Sequence, residues 1–141
     1  MFNLVYRDGA PENAGHYEAF KKEKNEALYT GQLVSVTTDT AAVYESGTPY
    51  GVVARDARDG EDEVVVLRIT KDMIFRVGTE NITTTIAPNV KKGAKCIVSD
   101  EAVTNTGDGP FEITEIVKEG TEDESGDVKG MILEGRFADS N

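Results

Sequence analysis

Thirty-seven of the 141 residues are β-branched (15 Val, 8 Ile and 14 Thr), against only 5 Leu. Two heavy atoms on Cβ stiffen these side chains in a helix and suit them to a pleated surface, so the proportion alone points to strands. The 14 Gly provide turns between them. The expected fold is all-β, a small β-barrel or a sandwich of short strands broken at Gly, Pro and Asp. A chain of 141 residues makes one domain that buries roughly two-thirds of its unfolded surface without disulfide or metal staples.

Period-two patterning places the strands. They are expected at Gln32–Val36, Ala41–Tyr44, Tyr50–Ala54, Glu63–Ile69, Met73–Val77, Ala94–Val98, Phe111–Val117 and Val128–Phe137. Within Glu63–Ile69, Val65, Leu67 and Ile69 share one face, and Val64, Val66 and Arg68 the other. Met73, Phe75 and Val77 alternate with Ile74 and Arg76, while Phe111, Ile113 and Val117 are expected to face inward. At the N-terminus Phe2, Leu4 and Tyr6 alternate with Asn3, Val5 and Arg7, before a break at Asp8-Gly9-Ala10-Pro11. That segment is either a first strand or an extended arm that docks elsewhere. The spacing of Tyr17, Phe20, Ala27 and Leu28 predicts one short helix over His16–Tyr29. The expected organisation is an N-terminal arm over residues 1–30, with at most that one helix, and a barrel-like domain over 31–141.

The chain carries 26 acidic and 15 basic residues, a net charge of -11. The first 70 residues hold 12 acidic and 7 basic groups, so the acidity is spread along the chain and not collected in a tail. Such a surface repels phosphate backbones, which argues against nucleic acid as a partner. Apolar runs such as Val64-Val65-Val66-Leu67 are far too short to span a membrane. The opening MFNLVYRDG lacks the basic start and apolar core of an export signal. A soluble protein is expected, with no membrane association.

Candidate chemistry is sparse. The single His16 and single Cys96 stand 80 positions apart, and a buried structural thiol with an exposed imidazole is the expected outcome. Asp39-Thr40-Ala41 is similar to the Asp-Thr-Gly turn of aspartic proteases, but Ala replaces the glycine and no second copy exists, so a polar hairpin is expected. Gly107-Asp108-Gly109 runs into Pro110 and not into a phosphate-binding helix. In Asp56–Glu63, Arg58 stands where a calcium loop would place an acid, and Glu122–Asp127 lacks a following bidentate Glu. Solvated acidic loops are expected, with no metal and no cofactor. Glu63 and Glu115 are the acids weighed for a carboxylate-only hydrolase, and Tyr29, Tyr44 and Tyr50 for a non-catalytic carbohydrate- or ligand-binding β-domain.

One stretch carries a family pattern. Gly31-Gln32-Leu33-Val34 opens a strand. Pro49-Tyr50-Gly51-Val52-Val53-Ala54-Arg55-Asp56-Ala57 follows, and then Gly60-Glu61 leads into the valine strand. This order, from Gly31 to Val77, resembles small tailed-phage head decoration (cement) proteins. The family commonly has Ala directly after Gly-Val, where this chain has Val53 and then Ala54. The resemblance implies a β-barrel or β-tulip domain on the outer surface of an assembled capsid, reached in the host cytoplasm. It implies a homotrimer that clamps neighbouring copies of the major capsid protein and catalyses nothing. In that role Phe2, Leu4 and Tyr6 would add an edge strand to a partner, and Val64, Val66 and Ile74 would form an apolar face buried between subunits. The alternative is that both valine faces pack inside one chain, with the N-terminal segment as its first strand.

Overall fold

Val64 and Val66 point to one side of their strand and Leu67 and Ile69 to the other, and all four are buried. A strand apolar on both sides is a wall between two cores, and the fold is organised around that wall. The computed structural model describes residues 2–7, 17–45, 47–70, 72–78, 90–99, 102–104, 107–122, 124 and 128–137. Among these residues there are thirteen strands and no helix, hence none long and apolar enough to cross a membrane.

The first core lies inside a closed five-stranded barrel. Strands β2 (Tyr17–Lys21), β3 (Leu33–Thr37), β4 (Thr40–Val43), β5 (Gly51–Val53) and β6 (Glu63–Arg68) close it in the order β2-β4-β3-β5-β6. Five strands enclose a narrow lumen that only modest side chains fill. It holds Val34, Ala41, Val53, Val64 and Val66, plugged by Leu28 and Ala57. Those two plugs bridge each other through paired main-chain hydrogen bonds of 2.9 and 2.8 Å. Gly51 is required here, because a Cβ at that position would collide with the Val66 side chain and the Leu67 carbonyl.

The second core lies between the barrel's outer wall and an antiparallel six-stranded sheet. That sheet comprises β1 (Asn3–Arg7), β7 (Met73–Gly78), β8 (Lys95–Ser99), β9 (Ala102–Thr104), β10 (Phe111–Lys118) and β13 (Ile132–Phe137), in the order β1-β7-β13-β10-β8-β9. Leu33, Tyr44, Val52, Leu67 and Ile69 from the barrel side meet Met73, Phe75, Val77, Cys96, Val98, Phe111, Ile113, Leu133 and Phe137. Phe2, Phe75, Phe111 and Phe137 stack edge-on or tilted, with centroids 4.9–5.6 Å apart, the geometry that ring quadrupoles favour. The sheet's other face is polar. Arg76 pairs with Glu134 at 2.6 Å and Arg136 with Glu112 at 3.1 Å across neighbouring strands, as the alternation in Met73–Val77 predicts. A small ribbon of β11 (Thr121–Glu122) and β12 (Val128–Lys129) completes the described strands.

Several expectations are corrected. No helix forms over the described part of His16–Tyr29. Residues 17–21 are β2, paired along their whole length with β6, because the barrel needs a fifth strand to close and tertiary pairing overrides the local spacing. The described residues of the expected arm, 2–7 and 17–30, belong to the body of the fold, since β1 pairs with β7, β2 closes the barrel and Phe2 is buried. Val117 is exposed and Ile116 packs on the core instead. Two register slips in the β10–β13 pairing, after Ile113 and after Ile116, break the alternation. The expected strand Val128–Phe137 is split into β12 and β13 at Gly130, which has a φ of 74°.

Candidate functional site

Tertiary structure disposes of most of the candidate chemistry by burial or by pairing. Cys96 is fully buried on β8, and burial pushes its thiol up to about 11, far from a reactive thiolate. His16 lies outside the described residues. Asp39 sits at the exposed tip of the β3–β4 hairpin, where Thr38 has a φ of 58°. Its carboxylate stands 3.2 Å from the Lys21 ammonium, and that hydrogen bond and charge hold it below the usual carboxylate range. The Asp-Thr-Ala sequence is therefore a polar turn. Asp56 accepts hydrogen bonds from the Thr30 amide (2.8 Å) and hydroxyl (2.9 Å), which lower its pKa and fasten the loop after β5 to the chain before β3. Among the described residues no three His, Cys, Asp or Glu side chains converge to hold a metal ion. Glu63 begins β6 and Glu115 lies in β10 of the other sheet, both exposed.

The tyrosines divide in the same way. Tyr44 is fully buried. Tyr50 is half-buried, packs edge-on against Phe20 at 5.5 Å and donates its hydroxyl hydrogen to Glu18 at 3.2 Å. The Arg68 guanidinium lies 5.8 Å from the centre of its ring, within cation–π range. Tyr29 alone of the three stands free at the surface, 51% exposed.

The six contact residues read from the sequence separate into three groups. Val64 and Val66 lie in the barrel lumen with 2% and 0% exposure, so they present nothing to a partner. The valine face is used within the chain, and the expectation of a subunit contact there is corrected. Ile74 is half-buried on β7. Phe2, Leu4 and Tyr6 belong to β1 or its threshold. Phe2 is core, Leu4 is half-buried against that core, and Tyr6 is paired through its main chain with Ile74, its side chain lying outside the described set.

Around Leu4 these elements form a recess. The main chain of Phe2 donates to Gly31 at 2.9 Å, tying β1 to the barrel. Between the two lies a groove of about 160 Å³ bordered by Leu4, Tyr17, Thr30, Gly31 and Ala54, with Val52, Leu67 and Phe75 as its apolar floor. Tyr17, on the rim, is 53% exposed. A half-open apolar groove rimmed by an amphipathic ring is suited to capturing a partner's side chain. Leu4 was visible in the sequence. Tyr17 and Thr30 were not singled out for this role, because their proximity to β1 comes from barrel closure. Comparison with known proteins found no family model that matches this chain and no match among curated proteins.

Proposed function

We propose that this protein is a non-catalytic structural component of the outer surface of a tailed-phage head, which binds across neighbouring major capsid subunits as a homotrimer. The observation that carries the reading is the location of the resembling stretch. Gly31–Val77 spans four of the five barrel strands and continues into β7 of the second sheet, so it accounts for the rigid body of the domain and not for an appended loop. Further support comes from a charge of -11, which suits particles that must stay apart in solution. The groove beside Leu4 and Tyr17 supplies an apolar contact on a mostly polar exterior.

The test mixes the purified protein with undecorated, expanded heads. Stoichiometric binding and a raised temperature of head disruption are expected, with Tyr17→Ala weakening the attachment. Intact heads that take up no protein would remove the proposal. Chemical crosslinking on the particle checks the trimer separately.

A further inference from the structure

Between β2 and β4 a single pair of residues closes the barrel, and the gap beside that pair has a definite chemistry. Strand β2 pairs with β6 from Tyr17↔Leu67 to Lys21↔Glu63, but it meets β4 at one position only, Lys21↔Thr40. Lys22 donates its main-chain N–H to Asp62 on the β6 side at 3.0 Å, and Lys21 donates to Asp39 on the opposite side at 2.9 Å. Because alternate residues of a strand direct their main-chain groups to opposite sides, those of Phe20 and Glu18 go to β6. Those of Ala19 and Tyr17 point away from it. Strand β4, which flanks β2 on that side, pairs with neither of them. A hollow of about 440 Å³ opens at this place, bordered by Ala19, Phe20, Lys21, Lys22, Asp39, Asp62 and Glu63.

The charges at the hollow are unbalanced. The Lys21 ammonium is occupied by Asp39 at 3.2 Å. The ammonium of buried Lys22 is turned into the chain, donating to the carbonyls of Glu23 (2.9 Å) and Glu26 (2.5 Å). Asp62 and Glu63 therefore face the hollow with no cation paired to them among the described residues. The edges of the six-stranded sheet are protected, β1 by a register slip between Leu4 and Tyr6 and β9 by being three residues long. The β2 edge has neither device.

We infer that the outward edge of β2 takes up an extended, lysine- or arginine-bearing segment of a partner protein as an added strand. Ala19 and Tyr17 supply the main-chain hydrogen bonds, Phe20 the apolar floor, and Asp62 and Glu63 the selection for positive charge. The inference does not rest on the head-surface reading, since any partner with such a segment satisfies it.

The probe is a fluorescent peptide of roughly eight residues, long enough for one strand, alternating Lys with Val and Thr. Its anisotropy is followed on the full chain, with a Glu-for-Lys counterpart as control. Saturable binding of the basic peptide that weakens with salt is expected. Ala19→Pro removes an N–H that the β6 ladder does not use, so the chain keeps its circular dichroism while affinity falls at least about tenfold, one lost main-chain contact and its neighbours. The Asp62→Asn, Glu63→Gln pair is expected to lower affinity similarly, and it decides the matter if Ala19→Pro does not fold. Absence of saturable binding, equal binding of the acidic peptide, or wild-type affinity in a folded Ala19→Pro chain overturns the inference. Self-association that Ala19→Pro abolishes assigns the edge to a second copy and overturns it too.

Discussion

The Tyr44 hydroxyl stands 2.7 Å from the main-chain carbonyl of Val98, joining the end of barrel strand β4 to β8 of the facing sheet. The same hydroxyl lies 2.6 Å from the Gly47 carbonyl, in the loop that follows β4. One phenol hydrogen is shared between two acceptors, the Val98 carbonyl in the interior and the carbonyl of exposed Gly47. Tyr44→Phe keeps the ring and strands the buried Val98 carbonyl. A loss of about 1–3 kcal/mol is expected, read as a lower urea midpoint with an unchanged slope.

The two faces of β6 give a second prediction. Val66 fills the lumen at 0% exposure, while neighbouring Val65 is only half-buried. Val66→Ala leaves a cavity that the surrounding strands cannot collapse into, at about 2 kcal/mol, and Val65→Ala is expected to cost about half that or less. Thermal melts of the two variants check the ranking. Equal shifts would mean that the lumen is not the better packed side.

Glycines at close approaches give a third. A Cβ on Gly135 would run into the Phe111 ring and the Glu112 carbonyl, and one on Gly51 into Val66 and the Leu67 carbonyl. Neither residue has a positive φ, so the requirement is space and not backbone conformation. Gly135→Ala and Gly51→Ala are each expected to destabilise by about 1–3 kcal/mol through overpacking. Gly60, with a φ of 96° and open space around it, isolates the conformational effect, and Gly60→Ala is expected to cost about 1 kcal/mol.

The buried thiol gives a pH dependence. Cys96 is neutral in the folded protein up to about 11, against an ordinary value of 9.0. Between those values the unfolded chain has lost the thiol proton and the folded chain has kept it, so the unfolded state binds fewer protons and stability falls as pH rises. The contribution is intact below pH 9. Titrating stability across this window is expected to show a steeper fall in wild type than in Cys96→Ser, whose remaining slope comes from the Tyr44 and Tyr50 hydroxyls, both raised by burial. A disulfide reagent at neutral pH is expected to label Cys96 slowly in buffer and rapidly in denaturant.

Much of the barrel was legible because its strands are short and bounded by obvious turns. The stretch from Leu33 to Val77 follows the expected strands to within a residue or two, and Met73, Phe75 and Val77 point inward as the alternation requires. The helix was misread because Tyr17, Phe20, Ala27 and Leu28 satisfy a helical spacing while serving three different places. Tyr17 rims the groove, Phe20 packs on the lumen, and Leu28 reaches it only by bridging Ala57 across a loop. Local spacing carries no record of a partner strand 44 residues away, which is what fixes Phe20 opposite Val64. The slip that exposes Val117 was hidden for the same reason, since a bulge belongs to a pair of strands and not to either sequence alone. The groove combines both cases, with Leu4 legible by alternation and Tyr17 placed beside it by closure of the barrel.

The register slip at Val5 in the β1–β7 ladder bears on how copies behave when crowded. A neighbour laid flank to flank along β1 would find its amides out of step after two residues, so growth into fibres stalls before a stable ribbon forms. The molecule can therefore be concentrated without its own flank becoming a template for the next copy.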